Sequence, residues 1–313
     1  MGKRLEEADF IKTVCIVLMV VFHLAHIGDL YPMVKKFVYT FHMPAFLMLS
    51  GYFLNVCKSN RDFVRSMWWL FVPYAVFESA YVVMASFLPT RDAVDQLSFP
   101  LVLDKLFLHP LGPYWYLHTL LLASVVSYVL CRMLRFRLSS FAVSILVAVV
   151  LGLLSYATDI LSLPNVLYYA FGFALSQMQI PWSRFVRPSL WSLLPLLLLA
   201  FFPESWNKTT VVGIAIVYFM MSLLQAIYMR LPLPLQQGSG IVGRNTLPIL
   251  IFSPIFTMGA KVLLPYLSFD RSGMLFLVAA TFLTLFGSLF LTWLMDGLHL
   301  SRYFWGKSRM LSV

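Results

Sequence analysis

Four of the six histidines, His23, His26, His42 and His118, fall with Glu78 inside or at the edge of long apolar runs. A neutral imidazole is the side chain best matched to moving a proton near neutral pH, and a carboxylate within hydrogen-bond reach can orient its ring or pass on its proton. Lys12 precedes His23 by eleven residues, roughly 16 Å along a helix. Lysine and arginine bind phosphate well, and Arg61 and Arg65 follow the second apolar run. A phosphate-bearing ligand held at Lys12 could reach His23 only through a long, slim arm, which points toward a pantetheine-type acyl donor. The plainer reading of each histidine is an inter-helix hydrogen bond, and it suits His26 and His118, nearest the interface, best. The plainer reading of the cations is a positive cytoplasmic loop.

Any such site must be positioned by membrane helices. The 313 residues are 60% apolar and 12% charged, with mean hydropathy +0.83. A water-soluble chain of this size would be left with a largely apolar surface, so the bilayer is the solvent. The net charge of +10 comes in twos and threes between apolar runs, which excludes a nucleic-acid partner. Cys15, Cys57 and Cys131 show no paired metal spacing, and with Cys15 inside the first apolar run and the other two placed near the cytoplasm by the topology below, no structural disulfide is expected.

Runs of about 20 mostly apolar residues occur at 10–28, 34–56, 66–88, 114–133, 139–157, 162–180, 188–203, 209–230, 244–265 and 273–298. The seventh is short. Residues 92–113 are too short and charged to cross and read as an interfacial or re-entrant piece; 231–243, LPLPLQQGSGIVG, reads as a loop. The expectation is an all-α integral membrane protein of about ten transmembrane helices, with residues 1–313 forming one domain.

Loop charge orients it. With the N-terminus inside, the cytoplasmic side holds Lys3, Arg4, Lys12, Lys58, Arg61, Arg65, Arg132, Arg135, Arg137, Arg184, Arg187, Arg230, Arg244, Arg302, Lys307 and Arg309, 16 of the 23 basic residues. Lys35, Lys36, Arg91, Lys105, Lys208, Lys261 and Arg271 fall on the other side. Both termini are then cytoplasmic. His23, His42 and Glu78 share the middle or outer half of three consecutive spans.

These residues resemble a known family. Asp9–Phe10–Ile11–Lys12, ten residues, then His23 is similar to the opening of the acyltransferase-3 family of membrane acyltransferases. Phe41–His42–Met43–Pro44, Phe46 and Ser50–Gly51–Tyr52 resemble its second-helix signature. Pro73–Tyr74, Trp115–Tyr116–Leu117, Tyr169–Ala170–Phe171–Gly172 and Gly243–Arg244–Asn245–Thr246–Leu247 resemble later motifs in the same order. Members usually carry basic residues just before the Pro-Tyr motif; here Trp68 and Trp69 stand there, with Arg61 and Arg65 the nearest cations.

The resemblance implies transfer of an acyl group, usually acetyl, from cytoplasmic acyl-CoA to a hydroxyl of a cell-envelope sugar (exopolysaccharide, O-antigen or lipid-linked glycan) in the inner membrane of a bacterium. Acyl-CoA is then a co-substrate, with no permanently bound cofactor or metal, and membrane lipid surrounds the chain. His23 takes the part of general base, and Glu78 or His42 orients its ring or passes on its proton. Lys12, Arg61 and Arg65 hold the donor, and Ser50, nearer the cytoplasm than His42, lines the acyl path. Direct transfer and an acyl-histidine intermediate both stay open. A secondary transporter or flippase of a glycan or small anionic solute would also place ionisable groups near the midplane, but with two half-repeats, and none is visible.

This topology is checked at Cys57, which it places in a cytoplasmic loop. In a chain with Cys15→Ser and Cys131→Ser, an impermeant maleimide should leave Cys57 unlabelled in intact cells and label it in inside-out vesicles. Labelling of intact cells would invert the orientation.

Overall fold

A computed structural model describes residues 5–87, 94, 96–134 and 137–312. Lys3, Arg4, Arg91 and Arg135 of the loop-charge pattern lie outside them, as do parts of 92–113 and the last residue of 66–88. The described residues form helices and turns with no strand. In order the helices are α1 Glu6–His23, α2 Ala25–Leu30, α3 Pro32–Tyr52, α4 Asn60–Phe87, α5 Phe99–Phe107, α6 Trp115–Leu134, α7 Ser140–Thr158, α8 Leu163–Gln177, α9 Trp182–Phe185, α10 Leu193–Ala200, α11 Val211–Tyr228, α12 Leu233–Arg244, α13 Thr246–Gly259, α14 Leu264–Leu267, α15 Met274–Gly297 and α16 Ser301–Phe304.

Among the described residues, six stretches are long and apolar enough to cross a membrane: Asn60–Phe87, Phe99–Leu134, Ser140–Thr158, Val211–Tyr228, Thr246–Leu267 and Met274–Gly297. Helices also stand at the other four expected places. There, α1 carries Glu6, Glu7, Asp9 and Lys12, α3 carries Lys35, Lys36 and His42, and α8 and α10 are short.

Two expectations are corrected. The run 10–28 is not one helix: α1 ends at His23, Leu24 is extended at φ −70°, ψ 101°, and the chain restarts in α2. Neither proline nor glycine stands at the break, so local propensity does not explain it. The stretch 231–243 is not a loop but mostly helix α12. Its glycines and prolines suit a loop taken alone, yet Pro234 falls in the first turn, where its missing N–H costs nothing. The small residues become the face that meets α1. Thr13 donates its hydroxyl hydrogen to the Ser239 carbonyl at 2.6 Å. Gly243 lies so close to the Asp9 carbonyl that a Cβ there would collide with it. Close backbone approach at small residues is how helices pack where lipid offers no hydrophobic drive.

The chain divides into two compact units: Met1–Leu49, Gln179–Gly297 and Met310–Val313 form the first, and Ser50–Met178 and Leu298–Arg309 the second. In the first, α1 is central and packs on α11, α12, α13 and α15. In the second, α6 packs on α4, α7 and α8, and α4 also carries α5 and α16. Ser59 starts α4 by accepting the Asp62 N–H at 3.2 Å, a side-chain N-cap.

Gly243→Ala should destabilise the protein by about 1–3 kcal/mol, because backbone rather than a movable side chain fills the space. Gly238→Ala, with nothing within 4 Å of its Cβ position, should not. Thermal melting of both variants in detergent checks the pair, and equal melting temperatures would refute the α1–α12 contact.

Candidate functional site

In the first unit the break after α1 sets the site. His23 is the last residue of α1, and its ring is exposed. Its Nδ1–H donates to the Met19 carbonyl at 2.6 Å. His42, buried on α3 at 3% exposure, donates from Nδ1 to the Val38 carbonyl at 2.8 Å. A carbonyl can only accept, so these bonds assign the hydrogen of each neutral ring to Nδ1 and leave the basic lone pair on Nε2. Tyr39 joins the two helices. Its hydroxyl donates to the Phe22 carbonyl at 3.4 Å, its ring meets Phe22 edge-on at 6.5 Å, and it lies 5.1 Å from the His42 ring. His23 and Lys208 are close enough for their charges to act on His42. Pro44 sits inside α3 and leaves the Thr40 carbonyl without its usual helical donor.

Lys12 and His23 lie on the same uninterrupted helix, so their spacing stays at about 16 Å. Lys12 is ion-paired with the buried Asp9 at 3.0 Å. The structure therefore adds an acid to the expected donor site. His26 packs its ring edge-on against Phe276 at 5.6 Å.

The second unit holds the other expected residues. Glu78 is fully buried, and its Oε1 accepts the Leu111 backbone N–H at 2.6 Å. His118 donates from Nε2 to the Phe107 carbonyl at 2.9 Å, and Tyr74 donates its hydroxyl hydrogen to the Leu106 carbonyl at 2.7 Å. These three side chains hold the end of α5 and the turn after it. The last carbonyls of a helix have no partner within it, and at membrane depth protein must supply one. Gly112, at φ +56°, lets this turn pass beneath Tyr81, whose ring lies 2.7 Å from where a Cβ would sit.

Ser50 pairs its hydroxyl with the Tyr116 hydroxyl at 2.6 Å, and Gly51 beside it lies against the Tyr169 backbone. Arg61 and Arg65 are exposed, one turn apart on α4. The preceding loop is fastened by Tyr128, which stacks on Phe63 at 3.7 Å and whose hydroxyl lies 2.9 Å from the Lys58 carbonyl. Trp69 packs against Gly306, at φ +66°, so an aromatic contact occupies the position where the resemblance implies a cation. Among the described residues no three His, Cys, Asp or Glu side chains gather as a metal site would.

The model of the acyltransferase-3 family, described as an acyltransferase domain, matches residues 5–293. The chain belongs to that family. Its match runs through both helical units and includes every candidate above. No curated protein and no solved structure matches the chain. This member of the family is thus a multi-pass membrane protein with an acyltransferase domain.

Two features of the site escaped the sequence. Lys208 counted only as one charge in an outer loop, and no spacing ties it to His42; Tyr39 counted as one aromatic among many, although its place three residues before His42 puts both on one face of α3. Burial holds the Lys208 ammonium below the usual lysine range.

Glu78→Gln keeps an oxygen for the Leu111 N–H and should melt near wild type. Glu78→Leu strands that N–H and should cost about 1–3 kcal/mol. Thermal melting separates them, and a Glu78→Gln protein that folds yet transfers no acyl group would give the carboxylate a chemical role as well.

Proposed function

We propose that this acyltransferase moves an acyl group, acetyl by preference, from cytoplasmic acyl-CoA to a hydroxyl of a cell-envelope sugar. The observation that carries this reading is the placement of His23. It ends a broken membrane helix, is exposed, has its Nδ1–H engaged by Met19, and stands about 16 Å from Lys12 along one helix. Irregular backbone at membrane depth belongs where it lines a cavity. A pantetheine arm is a long, slim group of the kind that spacing demands. The reading includes about ten spans, cytoplasmic termini and a bacterial inner membrane, as the loop charges suggest.

In the proposed step, His23 Nε2 takes the proton of the sugar hydroxyl as its oxygen attacks the thioester carbonyl. The C–O bond forms, the tetrahedral intermediate collapses, the C–S bond breaks, and the departing thiolate recovers the proton from the imidazolium. His42, next to Tyr39, would orient His23 or share its proton, with Glu78 the alternative for that task. Lys12, Arg61 and Arg65 would bind the donor phosphates, and Ser50 would line the acyl path. An acyl group carried on His23 would use the same lone pair.

The break at Leu24 also favours a second reading, because transporters place discontinuous helices at their substrate sites. One assay decides between them. Purified protein is incubated with labelled acetyl-CoA and envelope glycan. Wild type should label the glycan, and His23→Ala, melting normally, should lose at least about a hundredfold in rate. Undiminished transfer by folded His23→Ala would refute the mechanism. Absence of transfer and of CoA binding in wild type would favour transport.

A further inference from the structure

The segment Gly243–Arg244–Asn245–Thr246–Leu247 takes no part in the step above, yet its asparagine is fully buried. Asn245 is the single residue between α12 and α13, and its amide makes three bonds. Nδ2 donates to the Ile241 carbonyl at 2.7 Å and to the Ser312 carbonyl at 2.8 Å, and Oδ1 accepts the Ser312 N–H at 2.9 Å. The first bond serves a carbonyl in the last turn of α12, where the helix has no donor of its own to give. The other two clasp the backbone of a distant segment. Asp296, near the end of α15, holds the two residues before Ser312 in the same way. Its carboxylate oxygens accept the Met310 N–H at 2.8 Å and the Leu311 N–H at 2.9 Å.

Three successive backbone N–H groups are thus taken by two side chains, and residues 309–312 form no helix or turn of their own. Hydrogen bonds to a carboxylate are among the stronger ones. All of them go to main chain, so any residue but proline could supply the N–H.

The clasp stands at the Lys12 end of α1. Gly243, two residues before Asn245, lies against the Asp9 carbonyl, and a Cβ there would also come within 2.8 Å of the Thr13 hydroxyl. Asp9 in turn pairs with Lys12 at 3.0 Å. Direct contacts therefore run from Ser312 through Asn245 and the last turn of α12 to Asp9 and Lys12, all within the first unit. Withdrawing residues 310–312 would leave Asn245 only its bond to Ile241 and take both N–H partners from Asp296. Polar groups that lose their partners cost free energy, and the seat of Gly243 on α1 is only as well fixed as the helix end that carries it.

We propose that Asn245 and Asp296 are positioning residues for the donor. By clasping residues 310–312 they hold the end of α12, and through it the Asp9–Lys12 pair, in the arrangement that binds acyl-CoA. This rests on the acyl-transfer reading above, in which Lys12 meets the donor.

The test separates backbone from side chain at one position. Leu311→Pro removes the N–H that Asp296 accepts, whereas Leu311→Ala keeps it. The purified full chain in lipid is assayed with labelled acetyl-CoA and envelope glycan. Leu311→Pro should raise KM for acetyl-CoA by about two- to thirtyfold, with kcat and KM for the glycan near wild type. Leu311→Ala should keep the wild-type KM. If Leu311→Pro melts early, Asp296→Asn takes its place; it leaves one acceptor for two N–H groups and should raise the same KM. A folded variant of either kind with the wild-type KM for acetyl-CoA, or a rise shared equally by Leu311→Ala, would overturn the assignment while leaving acyl transfer standing. No label on the glycan with wild type would remove acyl transfer itself, and this proposal with it.

Discussion

The backbones of α1 and α12 lie against each other with no side chain between them at Gly243, and Thr13 adds a hydroxyl bond to Ser239 across the same contact. In lipid, apolar side chains gain little by leaving one apolar medium for another. Close packing and inter-helix hydrogen bonds have to supply the association. This contact seats α1 among α11, α12, α13 and α15. Because α1 carries both Lys12 and His23, the same contact fixes where both stand among these helices.

At the His23 end of α1 the chain leaves helical geometry at Leu24, and the backbone groups there need partners from outside the helix. Tyr39 meets part of that need by donating to the Phe22 carbonyl, and it lies beside His42 as it does so. The interruption and the histidine pair are thus one piece of construction. Each imidazole spends Nδ1–H on a carbonyl one turn back in its own helix, which orients Nε2 as the basic nitrogen.

The second unit shows how a polar residue at membrane depth can serve the backbone. Glu78, Tyr74 and His118 come from two long helices, and all three bond to the backbone of residues 106–111. Depth drew attention to Glu78 and His118 because buried ionisable groups are costly. The structure shows a further use for them: with Tyr74 they hold the end of the short helix α5 and the turn after it by their backbone groups. His118 read as an inter-helix bond from its depth, and it forms one, to Phe107.

The sequence alone was enough for the helical class, the places of the long apolar helices, the kinship of the chain, and the eleven-residue interval between Lys12 and His23. Hydropathy and helical rise are local properties, counted residue by residue. It did not show the break at Leu24, where no proline or glycine stands, or the helix at 233–244, whose glycines read as a loop until α1 lies against them. It gave no sign that the Lys208 charge acts on His42 or that Glu78 serves Leu111. Those pairs are 166 and 33 positions apart, brought together by packing that no local count registers. Tertiary structure decided them because the free energy of each lies in a partner supplied from elsewhere in the chain.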